Sequence, residues 1–391
     1  MPAEGGRIAV AHVLEATVGG TRQYLLDVCL GLPSERFAQT AIVSTERDPA
    51  FEADIARLRE GGVTVEVVPM VRQICLRRDR EALRWLRAYF REHPFDIIHG
   101  HSSKGGMLAR LAAWLARNPA ARVYSPHAFA FTMAVSPLRR WLYLLLERLA
   151  GRITDLLVCT CESERELAVR RGIVPAGRAA VVRTGVDLRR FHPQPQGHRV
   201  RAELGLPERH RLVGAVGALV EQKGHALLVD AAPLVLAQMP HTTFVLVGAG
   251  PLEERLRARA AELRLGRRMV FLGHRDDVPE LLGALDLFVM PSLWEGMPYA
   301  LVEAMAVGTP VLGSAIAGIV DLIEPGRTGW LAPPGSAQEL AAMILLALRE
   351  EGASATMAQA ARELVVREHS REHMLQTLQG LYERLVEDRK R

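Results

Sequence analysis

The sequence predicts an α/β protein built from two doubly wound parallel sheets, and three observations carry that reading. Short apolar runs with the length of buried parallel strands alternate with segments of helical period along nearly the whole chain. The alternation occurs twice, on either side of FHPQPQGHR, a proline-rich polar stretch within residues 185–207 that reads as a linker. With 391 residues, 49% of them hydrophobic, the chain can bury two ordinary cores.

In the first half, residues 7–14 (RIAVAHVL) are a central strand, followed by a glycine-rich turn with Gly19 and Gly20 and a helix over 21–32. GGT is not the GxGxxG of dinucleotide binding, so the turn reads as structural unless a ligand comes close to it. Strands at 39–43 and 64–69 flank a charged helix at 51–60. Residues 71–92 form a helix or helix pair rich in arginine and interleaved with apolar residues, a solvated basic face or a surface for anionic lipid. A strand at 95–99 leads into the loop 101–106, where Lys104 and local amides could hold an anion, then a helix at 107–117. A strand at 122–125 ends at Pro126-His127. The segment 137–148, PLRRWLYLLLER, is a core helix, a lid or a membrane-facing helix; strands at 156–160 and 180–183 with a helix at 163–171 complete the half.

The second half repeats the scheme. Strands at 212–216, 243–247 and 269–271 alternate with helices at 224–239, 252–263 and 278–285, with a GAGP turn at 248–251. A strand at 285–290 then opens PSLWEGMPYALVEAMAVGTPVLGS, a tight loop and a helix at 299–307 that Gly308-Thr309-Pro310 stops. Strands at 311–312 and 329–331, a helix at 337–349 and further helices to 387 finish the chain. In the loop and helix at 291–307, backbone N–H groups of Gly296, Met297 and Tyr299 point toward a helix N-terminus that can receive phosphate, whereas Pro298 has no N–H to offer. Glu295 and Glu303 stand on either side. A carboxylate repels phosphate at contact, so both suit hydroxyls at the two ends of a ligand whose middle is anionic. A nucleoside diphosphate sugar has that layout.

The balance of 49 Lys and Arg against 44 Asp and Glu gives a formal charge of +5, which favours anionic ligands or an acidic membrane face. No zinc-finger spacing, recognition-helix pattern or aromatic-interleaved basic sheet points to nucleic acid. Four scattered cysteines, with Cys159 and Cys161 too close for a usual metal pair, fit buried thiols in a reducing cytoplasm. MPAEGGR lacks the pattern of a signal peptide, and no run reaches membrane-span length.

Glu-x7-Glu inside EGMPYALVEAMAVGTPVLGS resembles the donor-site signature of the retaining nucleotide-sugar glycosyltransferases of family 4, and over essentially the full chain the segments are similar to that family's two-domain GT-B architecture. The resemblance implies two Rossmann-like domains facing a central cleft: residues 1–190 binding acceptor, 191–365 binding the nucleotide sugar, and a helix in 366–391 crossing back to the first domain. It assigns Glu295 to donor-sugar hydroxyls, Glu303 to the ribose, Met297–Tyr299 and Lys223 to the diphosphate, His127 to the transferring sugar, and Gly248 and His274 to the nucleotide. Retention and independence of metal are implied, with a nucleoside diphosphate sugar, UDP-linked, as co-substrate and no resident cofactor. The region 125–164 is similar to members that build bacterial polysaccharide or glycoconjugates, which implies hexosyl or N-acetylhexosaminyl transfer to a lipid-linked or saccharide acceptor, peripherally at the cytoplasmic face of the inner membrane. Relatives carry an arginine five residues before Lys223 where this chain has Ala218; Arg183, His274 or Arg275 are the candidates to compensate. The family's Asn-Gly-Val-Asp turn stands here as Thr184-Gly185-Val186-Asp187, with Asp187, Lys104, Arg183 and Arg275 as further phosphate or acceptor contacts. The same two-domain shape also serves sugar-phosphate epimerases such as UDP-sugar 2-epimerases, and a non-catalytic nucleotide-sugar-binding protein is a third reading. Only transfer requires an acceptor.

Overall fold

The computed structural model describes residues 6–194, 197–207 and 209–390. The N-terminal MPAEG stretch, and Pro195 and Gln196 of the expected linker, lie outside the described residues. The chain divides into two compact units, one running to Arg183 and resuming at Glu372, the other spanning Thr184 to Arg371.

Unit 1 alternates β1 (Ile8–Leu14), α1 (Gly19–Gly31), β2 (Phe37–Val43), α2 (Glu52–Glu60), β3 (Thr64–Val67), α3 (Leu76–Glu92), β4 (Ile97–His101), α4 (Ser103–Ala116), β5 (Ala121–Ser125), α5 (Pro137–Gly151), β6 (Leu156–Cys159), α6 (Glu162–Arg170) and β7 (Ala179–Val181). Its parallel sheet has the order β3-β2-β1-β4-β5-β6-β7, so the winding reverses between β1 and β4. Apolar side chains on both faces of β1 are buried, as expected of a strand covered by helices on two sides. Two expected boundaries move. Strand β4 runs past His99 to include Gly100 and His101, because β1 and β5 pair with it from both sides through His101↔Leu14 and His101↔Ser125; ladder bonds outweigh the weak strand propensity of such residues. Helix α4 therefore starts at Ser103, and the expected anion loop at 101–106 is a strand end and a first helical turn.

Unit 2 contains α7 (Gly197–Glu203), β8 (Arg211–Val216), α8 (His225–Leu236), β9 (Thr242–Val247), α9 (Glu253–Glu262), β10 (Met269–Gly273), α10 (Val278–Ala284), β11 (Leu287–Met290), α11 (Tyr299–Val307), β12 (Val311–Ser314), β13 (Trp330–Ala332), α12 (Ala337–Arg349) and α13 (Glu351–Glu368), after which α14 (Arg371–Lys390) continues into unit 1. Its sheet order is β10-β9-β8-β11-β12-β13, all parallel. The stretch expected to be linker holds helix α7, which buries Gly197 so closely that a Cβ there would meet the Gly283 carbonyl oxygen at 2.6 Å. Near the boundary of the units, Val186 donates to the His369 carbonyl and accepts from Arg371, both at 2.9 Å, so the segments where the chain enters and leaves unit 2 lie side by side. Helix α14 then buries Met374, Leu378 and Tyr382 in unit 1.

Candidate functional site

In unit 2, β8 and β11 are neighbours from which the winding departs in opposite directions, and ligands of open α/β sheets bind beyond the C-terminal strand ends at that point. Glycine lets the loops there touch backbone to backbone. A Cβ on Gly224 (φ +63°) would stand 2.0 Å from the Pro291 carbonyl oxygen, one on Gly248 (φ +131°) 2.1 Å from that of Gly217, and one on Gly318 (φ +80°) 1.5 Å from that of Gly296. No larger residue fits, and all three φ angles are strained for side chains. Backbone bonds close the same seams, Leu219 N to the Ala249 carbonyl at 2.9 Å and Leu293 N to the Gln222 carbonyl at 2.8 Å.

These pinned loops bring Lys223 and Glu295 together. Lys223 Nζ donates to Glu295 Oε1 at 2.7 Å, with side-chain exposures of 21% and 6%. Ser292 Oγ donates to the same oxygen at 2.8 Å and Gln222 Nε2 to the other at 3.2 Å. At rest the charge of Lys223 is shared with a nearly buried carboxylate. Ser292 and Gln222 went unremarked in the sequence, although both are polar residues in loops that leave adjacent strands.

Helix α11 begins immediately beyond this pair. Pro298 is its N-cap, no side chain caps it, and its first turn holds no acid, so the positive end of the helix dipole is not neutralised by its own side chains. The helix buries Leu301, Val302, Met305 and Val307, each worth about 1.5–3 kcal/mol. Glu303, its one charged residue, is half-buried a turn beyond Tyr299. Gly296, Met297 and Pro298 are buried in the loop.

The remaining expected residues divide. Gly248 lies in the glycine seam, whereas His274, beyond edge strand β10, is exposed with only Asp276 at 4.0 Å. Arg275 is clamped by both carboxylate oxygens of Glu203, at 2.6 and 2.9 Å, and by Asp277 at 2.8 Å, so it is already ion-paired in this structure. Asp187 pairs with Arg371 at 3.2 Å and accepts from Arg189 N at 3.0 Å, a role at the chain crossing. In unit 1, Lys104 Nζ lies 2.6 Å from both Asp79 oxygens and 3.0 Å from the Gln73 carbonyl. Lys104 is therefore already ion-paired in this structure, because α4 places it against the start of α3. Gly19 (φ +55°) and Gly20 open α1 and are exposed, and Arg183 is exposed at the end of unit 1.

His127 sits after β5 in a left-handed backbone turn with φ +52°, followed by Ala128 at +90°, where non-glycine residues are held only by their surroundings. The buried Glu164 supplies that hold by accepting from Ala128 N at 2.9 Å and Thr160 N at 2.8 Å. The His127 ring meets Tyr24 edge-on at 4.7 Å and His101 Nδ1 at 3.2 Å, and burial lowers its pKa to about 4. Behind it, His101, His12 and His99 form a buried cluster with Gln39, Ser125 and Tyr382. Sequence reasoning saw His12, His99 and His101 only as strand or loop residues; their alternation on β1 and β4 was the available signal.

Comparison with known proteins completes the picture. Residues 19–185 match the family described as glycosyl transferase 4-like domain and residues 198–364 that described as glycosyl transferases group 1. The chain is 32% identical over 337 residues to the UDP-Gal:alpha-D-GlcNAc-diphosphoundecaprenol alpha-1,3-galactosyltransferase of Escherichia coli, covering 85% of each. It is 30% identical to the 2-deoxystreptamine glucosyltransferase of Streptomyces kanamyceticus, covering 71% of this chain and 69% of that one. The crystal structure of Anabaena Alr3699/HepE in complex with UDP and glucose superposes with a TM-score of 0.78 at 25% identity, covering 96% of this chain and 99% of that one. Two wound sheets of the GT-B kind, matched half by half in sequence and nearly end to end in fold, leave one assignment: this chain belongs to the group 1, family 4-like glycosyltransferases, and is a nucleotide-sugar-dependent transferase of polysaccharide and glycoconjugate assembly.

Proposed function

We propose that this chain moves a hexosyl or N-acetylhexosaminyl unit from UDP to a lipid-linked or saccharide acceptor, with retention of configuration and without metal. The observation that carries the reading is the Lys223–Glu295 pair beside the uncapped start of α11. A diphosphate lying against Gly296, Met297 and Tyr299 draws Lys223 toward itself, and because negative charge grows on the leaving phosphate as the C1–O bond breaks, lysine and helix dipole stabilise the transition state more than the ground state. These groups neutralise phosphate directly, which is the work a divalent ion does elsewhere. Glu303 accepts from the ribose hydroxyls, Glu295 from the donor sugar, and Gly248 keeps the loop beneath the nucleotide close against Gly217. The acceptor oxygen attacks C1 on the face the phosphate leaves, and that phosphate takes the acceptor proton. Residues 191–365 serve the donor and 1–190 the acceptor, with His127 of the first domain beside the transferring sugar and the helix in 366–391 joining the two. The UDP named for the Escherichia coli relative and bound by the Anabaena protein supports the choice of nucleotide.

A lipid-linked acceptor calls for a membrane surface, and among the described residues no helix is long and apolar enough to cross one. Helix α5 instead exposes Leu138, Trp141 and Leu142 at 75%, 61% and 39% beside exposed Arg139 and Arg140, and Ile74 and Leu76 are exposed beside Arg77 and Arg78. Apolar side chains flanked by arginine suit the anionic cytoplasmic face of the inner membrane. Incubation with a panel of nucleotide sugars, with and without lipid extract, tests the reaction. UDP released only with acceptor is the expected result; epimerised sugar formed without acceptor would replace transfer by epimerisation. Flotation with anionic and neutral vesicles tests the surface, and equal binding to both would remove the membrane from the proposal.

A further inference from the structure

The buried imidazoles His12, His99 and His101 bring ligating nitrogens within 4.8 Å of one another. Yet all six of their ring nitrogens already meet a hydrogen-bonding partner, so the cluster is complete as a hydrogen-bonded set. One thread through it has a determined direction. Gln39 is buried, and its amide nitrogen faces the carbonyl oxygens of Cys29 at 2.8 Å and Val28 at 3.4 Å. Carbonyls only accept, so that end of the amide is the NH2 and the other end is the acceptor Oε1. Oε1 lies 3.2 Å from His12 Nε2, which must therefore carry the proton.

The rest follows from each neutral imidazole having one donor and one acceptor. Burial holds His12 at about 4 and His101 well below its ordinary value, so both are neutral at pH 7. With its proton on Nε2, His12 Nδ1 is an acceptor, and His101 Nε2 at 3.1 Å must donate to it. His101 Nδ1 is then an acceptor in turn, and its partner at 3.2 Å is His127 Nε2. We propose that Gln39, acting through His12 and His101, sets the tautomer of His127, with the proton on Nε2 turned into the cluster and a lone pair on Nδ1. Gln39, His12 and His101 are positioning residues. On the reading that places His127 beside the donor sugar, the cluster presents that sugar with an acceptor for a hydroxyl proton, and a reversed thread would present a donor instead.

Long-range 1H–15N correlation spectra of the full chain with 15N-labelled histidine report each tautomer, and His127→Gln assigns the resonance. The expected wild-type result is the Nε2–H tautomer at His127, with both tautomers populated in Gln39→Met, which keeps the side-chain volume but removes the acceptor. An Nδ1–H tautomer in the wild type, or an unchanged His127 in Gln39→Met, overturns the proposal; the wild-type spectrum decides even if the variant fails to fold. Kinetics separate this from the functional reading. Gln39→Met is expected to lower kcat roughly two- to tenfold, the worth of one hydrogen bond, with little change in donor KM. If the tautomers behave as stated but His127→Ala turns over normally, the hydrogen-bonded thread stands and the placement of His127 at the donor sugar falls.

Discussion

On the proposed reaction, the Lys223–Glu295 ion pair holds a phosphate-binding cation in reserve. A lysine free in the crevice would bind any anion, whereas one already bonded to a carboxylate 6% exposed yields only to a ligand that offers more than the pair it disrupts. Two substitutions follow. Lys223→Met should lower kcat by at least about 100-fold, since the leaving diphosphate loses its cation while Glu295 adds repulsion; near-normal turnover would remove Lys223 from the phosphate. Glu295→Gln keeps the side-chain shape and releases the lysine, so UDP should bind more tightly, by about 1 kcal/mol or roughly fivefold, while turnover falls. Isothermal titration with UDP and steady-state rates measure the two effects separately, and weaker UDP binding in Glu295→Gln would contradict the competition. The motif EGMPYALVE made both glutamates legible from sequence. The pairing of Glu295 with Lys223 was not, because the two lie 72 residues apart and meet only through loops that leave adjacent strands.

Helices α4 and α5 of unit 1 are joined by a buried ion pair. Arg110, 1% exposed, stacks its guanidinium 3.7 Å from the Tyr124 ring centroid and lies 3.3 Å from Glu147 Oε2, while Tyr124 donates to Oε1 at 2.8 Å. Arg110 also donates to the Gly106 carbonyl and Thr154 Oγ1. This network anchors the C-terminal half of α5, whose N-terminal half exposes Leu138 and Trp141. Removing one partner strands a buried charge, so Glu147→Ala should cost about 3–5 kcal/mol in urea unfolding, and adding Arg110→Met should restore much of it. An additive double variant would mean the two groups are not coupled. Period and composition identified α5 but could not say whether its apolar flank meets the core, a lid or a membrane, because that depends on what packs against it.

Across the whole molecule, both units carry histidines that burial keeps neutral. His12 in unit 1 and His225 in unit 2 both fall to about 4, and His99 and His101 are pushed well below the ordinary value, first by burial and then by neighbouring imidazoles that include His12 and His127. The unfolded chain binds those protons near pH 6.5, so below that value it takes up more protons than the fold and stability declines as pH falls toward 4. Each such group contributes a slope of about 1.4 kcal/mol per pH unit inside the window. Urea midpoints should drop measurably from pH 7 to pH 5, before ordinary carboxylates titrate. A flat profile would mean that these imidazoles take up protons without cost.

The order of elements along this chain is a local property. Apolar runs of strand length, helical periodicity and glycine-proline punctuation act over a few residues, so two wound sheets, the α11 unit and its flanking glutamates could be read directly. Contacts between distant segments are another matter. That Lys104 meets Asp79, that Arg275 meets Glu203, that His101 joins His99 in a strand, that helix α7 packs against Gly283 within the expected linker and that Gln39 reaches the cluster behind His127 depended on packing between segments distant in sequence, among them β1 lying between β2 and β4. Parallel strands are joined by long crossovers, so the residues they align are far apart in sequence, and only the packed sheet specifies which charge meets which.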